Sequence, residues 1–144
     1  MTKLRLPTVA LLAGLAACSS KPTWQAHDVG ALLVEFPCSP EESAAVVKCG
    51  RADGTEFQVA VVDKAGYTPE QQLAETRAYV EGMPKTQLIE GSAFPMKWIE
   101  VRTNLAYVNW QWFKDGKEYT ARVAYTSQQP PPIVDEFFSR VKVK

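Results

Sequence analysis

Leu105-Ala106-Tyr107-Val108-Asn109-Trp110-Gln111-Trp112-Phe113 and Lys117-Glu118-Tyr119-Thr120-Ala121-Arg122-Val123-Ala124-Tyr125 stand on either side of Asp115-Gly116. An Asp-Gly pair accepts the positive φ angles of a tight hairpin turn, so the two runs are predicted to pair as antiparallel strands. Side chains alternate between the two faces of a strand. Ala106, Val108, Trp110 and Trp112 therefore share one face, as Tyr119, Ala121, Val123 and Tyr125 do on the returning strand. Tyr107, Asn109, Gln111 and Phe113 take the opposite face. The larger apolar set is expected to be buried, and the second set, which mixes aromatic and polar groups as binding surfaces do, is the candidate binding face. With Trp98 one strand earlier, two readings of these aromatics stay open: a sheet core under its helices, or the lining of a groove for a partner or apolar ligand.

Outward from this hairpin the chain continues in strands. Lys97 to Arg102 and Thr86 to Glu90 precede it, separated by the break Gly91 to Pro95. Glu56 to Val62 places Phe57, Val59 and Val61 on one face and follows the turn Asp53-Gly54. Ala45 to Cys49 reads as strand, as does Ala31 to Phe36, which Pro37 and Pro40 stop. Thr68-Pro69-Glu70-Gln71 opens a helix: Thr68 suits the cap, Pro69 the first turn, and Gln71 closes a capping box. Leu73, Ala74, Arg77 and Val80 follow helical spacing toward a stop at Gly82 to Pro84, and Glu70, Gln72, Glu75 and Glu81 are expected on the solvated face. After Pro130-Pro131-Pro132, the residues Ile133, Val134, Phe137, Phe138 and Val141 mark a terminal amphipathic helix, with Lys142 and Lys144 at its solvated end. The fold class is α+β: an antiparallel sheet of about six or seven strands with a mid-chain helix and a C-terminal helix packed on it.

The amino-terminal segment has a different purpose. Lys3 and Arg5, the apolar run Leu6 to Leu15 and the small residues before Cys18 form a secretion signal. Leu15-Ala16-Ala17-Cys18 resembles the lipobox of bacterial lipoproteins. That resemblance implies residues 1–17 as signal peptide, diacylglycerol on the Cys18 sulfur, and an acylated new amino terminus such as palmitate supplies. Two or three acyl chains on one cysteine anchor durably where one does not. Ser19 after the cysteine resembles the pattern sorted to the outer membrane in cells with two membranes, so its periplasmic face is expected before the inner membrane. Residues 18–28 read as a lipidated tether and residues 29–144 as one globular domain. Trp24 in the tether suits either the lipid headgroup level or a place folded back on the domain.

Processing after Ala17 removes 17 of 144 residues, and with them two of sixteen basic and none of sixteen acidic groups. The remainder is nearly neutral and has no basic stripe, which speaks against nucleic acid. Cys38 and Cys49 are an even pair in an exported chain, where a disulfide is the first expectation, two free thiols the second and metal the third. Zinc would need a fuller ligand set, and His27 is the single histidine. No metal or other cofactor is expected. Hydrolase elbows, phosphate-binding glycine loops and metal-binding helix motifs are absent.

The strand end Leu32-Leu33-Val34-Glu35-Phe36-Pro37-Cys38-Ser39-Pro40, the capped mid-chain helix and the closing Phe137-Phe138-Ser139-Arg140-Val141 resemble the Mog1/PsbP-like family, bacterial envelope lipoproteins included. The resemblance covers about residues 29–143, and relatives often carry Gly where this chain has Cys38. It implies a binding or assembly module without a shared catalytic residue. The function expected is that of a lipid-anchored, non-enzymatic envelope protein that binds or positions another envelope protein. The alternative is a carrier or sensor for a small apolar ligand held between sheet and helix.

Overall fold

The computed structural model describes residues 21–144. The segment read as a signal peptide, Cys18 and Ser19 lie outside the described residues. In chain order the elements are β1 (Gln25–Val29), β2 (Leu32–Phe36), β3 (Glu41–Glu42), β4 (Val46–Gly50), β5 (Glu56–Asp63) and α1 (Pro69–Gly82). They continue with β6 (Thr86–Glu90), β7 (Met96–Arg102), β8 (Leu105–Lys114), β9 (Lys117–Tyr125), α2 (Pro132–Ser139) and β10 (Val141–Val143). Seven strands form an antiparallel sheet in the order β3-β4-β5-β9-β8-β7-β6, and a second sheet has the order β1-β2-β10. The expected α+β architecture is therefore present, with a small second sheet added to it.

The β8–β9 hairpin turns on Asp115 (φ 52°) and Gly116 (φ 70°), both in the left-handed region that a two-residue turn of this kind requires. Its register then follows by counting back from the turn: Gln111 faces Thr120, Asn109 faces Arg122, and Trp110 faces Ala121. α1 begins where the capping box is expected. Thr68 Oγ1 accepts from the Gln71 backbone N–H at 3.2 Å, and Gln71 Oε1 accepts from the Thr68 N–H at 2.9 Å.

Both faces of the large sheet are covered, each by a different layer. On one side, β2 turns Leu32, Val34 and Phe36 inward against Phe57, Val59, Ala121 and Val123 of the sheet. α2 completes this core with Phe137, whose ring lies 5.1 Å from that of Phe57 and 5.8 Å from that of Phe36. Trp110 stacks on Phe138 at 4.7 Å and Trp112 is buried, so the larger apolar set of β8 faces the core as expected. On the other side α1 rests on a smaller cluster of Val80, Met96 and Trp98, with Leu73 and Leu88 at its edge.

Two segments differ from the sequence reading, and the place of Trp24, open there between two alternatives, is decided. Residues 25–28 are not tether but part of β1, which pairs along its whole length with β2. Trp24 folds back on the domain, half-buried beside the main core, with the Arg140 guanidinium 4.2 Å from its ring. The last helix stops at Ser139; Val141 and Lys142 leave it to pair with Val34 and Leu33 as β10. β1 is decided by its hairpin with β2 across Gly30-Ala31, and β10 by pairing with the same strand from the far end of the chain; neither Gln25-Ala26-His27-Asp28-Val29 nor Val141-Lys142-Val143 announces this by its own pattern.

Candidate functional site

The predicted binding face is brought together, but not as an open patch. Asn109 is fully buried and Gln111 nearly so, because α1 lies across this part of the sheet. Tyr107 is half-buried with guanidinium groups at 4.8 Å (Arg122) and 5.6 Å (Arg102) from its ring. Phe113 packs against Phe94 with centroids 6.2 Å apart. The expectation that all four look out to solvent is therefore corrected: both sheet faces carry a covering layer, and period-two alternation separates faces without saying how many are covered. The Cys38–Cys49 disulfide is present, with Cα atoms 5.8 Å apart.

What α1 turns toward the sheet is a polar stripe. Gln72, Thr76 and Val80, spaced four apart, are its buried residues, whereas Ala74 and Arg77 are exposed. The placement of Gln72 on the solvated face is overturned as well. Thr76 Oγ1 donates to Gln111 Oε1 at 2.6 Å, and Gln72 Nε2 donates to Glu118 Oε2 at 2.6 Å and to Thr76 Oγ1 at 3.2 Å. A helix held to a sheet by hydrogen bonds leaves gaps that methyl groups would fill. One such gap is a cleft of about 280 Å³ between α1 and β9, with Thr120 and Gln111 among the sheet residues lining it and the exposed Tyr79 on the helix side.

The two ends of this cleft carry opposite charge arrangements. At one end Lys64 Nζ donates to both carboxylate oxygens of Glu75, at 3.2 and 3.3 Å, and lies 4.0 Å from Glu118. The Glu75 hydrogen bond raises the Lys64 pKa above its ordinary 10.5; desolvation opposes this, and the charges of Glu75 and Glu118 add to it. At the other end Arg122 donates from Nε to Asn109 Oδ1 at 2.7 Å and from Nη2 to Glu100 Oε2 at 3.3 Å. Glu100 is only 2 % exposed and also accepts from Arg102 at 3.2 Å. Nearby, Trp98 Nε1 and Asn109 Nδ2 are buried without a partner, as is Gln72 Oε1 toward the Glu118 end.

Sequence reasoning did not single out Lys64, Glu75, Glu118, Thr120 or Arg122 as a site. A signal for two of them existed, since the hairpin register sets Thr120 opposite Gln111 and Arg122 opposite Asn109. The space beside Trp98 is flanked by charged pairs, which suits a charged guest better than an apolar one. His27 lies away from it, on β1, 3.2 Å from Glu42. Among the described residues no group of three or more His, Cys, Asp or Glu is placed to hold a metal ion, and no helix is long and apolar enough to cross a membrane. No family model matches the chain, and no curated protein matches it in sequence.

Proposed function

We propose that this is a lipid-anchored protein of the cell envelope, of Mog1/PsbP-like type, whose domain binds another envelope component at the cleft between α1 and β9 and catalyses no reaction on it. The observation that carries the reading is the position of the cleft relative to the anchor. Five residues separate Cys18 from Trp24, a contour of about 20 Å at most. Trp24 is pinned beside Arg140, in the layer of β1, β2, β10 and α2. The cleft lies across the large sheet from that layer and so faces away from the membrane that holds the lipid. Binding is favoured over catalysis because the Thr76 hydroxyl is committed to Gln111 and the imidazole of His27 is on another element. The outer membrane's periplasmic face is the proposed location.

A photo-crosslinker at Thr120 of the full-length protein in intact cells tests the reading. It is expected to capture a discrete envelope component that the same group at Asp135, an exposed residue of α2, does not capture. Cys18→Ala is expected to lose acyl labelling and membrane fractionation. Equal capture from both positions, or a Cys18→Ala protein of unchanged mass and fractionation, overturns the binding site or the anchor respectively.

A further inference from the structure

We propose that the cleft takes a short peptide of about two or three residues with both termini free, its ammonium end toward Glu75 and Glu118 and its carboxylate end toward Arg122. The proposal rests on the reading of the cleft as the binding site of the domain. Charge balance at each end leads to it. Among the described residues Lys64 is the one cation set against Glu75 and Glu118, which leaves that end one negative charge in excess. At the other end Arg122 is the lining cation, and the buried Glu100 behind it is shared with Arg102 outside the cleft, which leaves that end one positive charge in excess. A plain anion or a plain cation would match one end and face a like charge at the other. A guest that is positive at one end and negative at the other satisfies both.

Spacing supports a peptide rather than a single amino acid. Glu118 and Arg122 lie on the same face of β9 with Thr120 between them, which puts their Cα atoms about 13 Å apart at roughly 3.4 Å per strand residue. Two charged side chains that far apart along the strand exceed what one amino acid spans at about 3.3 to 3.6 Å per residue, and a short peptide reaches between them. The cleft volume of about 280 Å³ accommodates a guest of that size. Trp98, the cross-strand partner of Asn109, lines the cleft beside Arg122 and closes it on the sheet side. Tyr79, 47 % exposed, gives the middle of the peptide an aromatic wall.

The test is a titration of the full-length lipidated protein in detergent with four probes: tri-alanine, N-acetyl-tri-alanine, tri-alanine amide and acetate. Tri-alanine is expected to bind saturably at one site. Blocking either terminus is expected to weaken binding about tenfold or more, the loss of one charge-assisted contact, and acetate is expected to bind at least as weakly as the N-acetylated peptide. Arg122→Gln, in which Glu100 keeps Arg102, is expected to abolish the difference between tri-alanine and its amide. No saturable binding of tri-alanine, or equal binding of free and blocked peptides, overturns the proposal, and the probe comparison needs no variant to fold. If Thr120 captures its partner while tri-alanine fails, the zwitterion assignment falls and the binding module stands; peptide binding without capture in cells has the reverse meaning.

Discussion

Single residues around the cleft and the turns show how local chemistry sets charge. Asp53 accepts from the Thr55 backbone N–H at 2.9 Å and lies 3.4 Å from Arg51. Burial pushes its carboxyl up, but the Thr55 hydrogen bond and the Arg51 charge outweigh that and hold it below the ordinary 3.8. A carboxyl lowered in the folded state stabilises the fold above its unfolded value, and that contribution is lost as pH falls through the folded value. The expected outcome is an NMR titration midpoint for Asp53 below 3.8 that moves up in Arg51→Ala. Glu100 is the sharper case, a carboxylate 2 % exposed between Arg102 and Arg122, whose side chains are 56 % and 31 % exposed. Either arginine alone keeps the buried charge compensated, so Arg102→Ala and Arg122→Ala are each expected to cost about 1 to 2 kcal/mol. The double variant strands the carboxylate and is expected to cost more than the two singles together, about 3 to 5 kcal/mol. Urea unfolding of the three variants decides this, and strict additivity would contradict it.

At the scale of elements, legibility depended on whether the signal was local. The capping box of α1 rests on four consecutive residues, and both of its hydrogen bonds are present. Thr68→Ala is expected to lower stability by about 1 kcal/mol in urea unfolding while leaving the disulfide and sheet intact. The β8–β9 turn is equally local, because Asp115 and Gly116 supply both positive φ angles. The buried face of α1 was not legible. Gln72 and Thr76 are ordinary surface residues by composition, and only Glu118 and Gln111, 46 and 35 residues further on, give them partners inside. Period-two alternation in β8 did assign Trp110 and Trp112 to the core, yet it was silent on a second layer over Asn109 and Gln111. A polar residue is buried when its hydrogen bonds are met, and a pattern of apolar spacing does not record where the partners lie.

The whole molecule is a large sheet between two unlike layers, an apolar one of β1, β2, β10 and α2 and a partly polar one of α1. The disulfide ties the end of β2 to β4 and so links the small sheet to the large one across 11 residues. Cys38→Ala with Cys49→Ala is expected to cost roughly 2 to 3 kcal/mol by the loop-entropy argument, read as a lower urea midpoint. Alanine is the suitable replacement because Cys49 is buried in the main core. The strand sequence, the capped helix, the hairpin turns and the pairing of Cys38 with Cys49 were legible in the sequence itself, because each depends on φ preference, alternation or chemistry within a short stretch. Tertiary structure alone decided that β1 and β10 are strands, that Trp24 returns to Arg140, and that opposite charges meet at the two ends of one cleft. Those outcomes depend on pairing and burial between segments as much as a hundred residues apart, where each partner's own sequence is compatible with several environments until the other arrives.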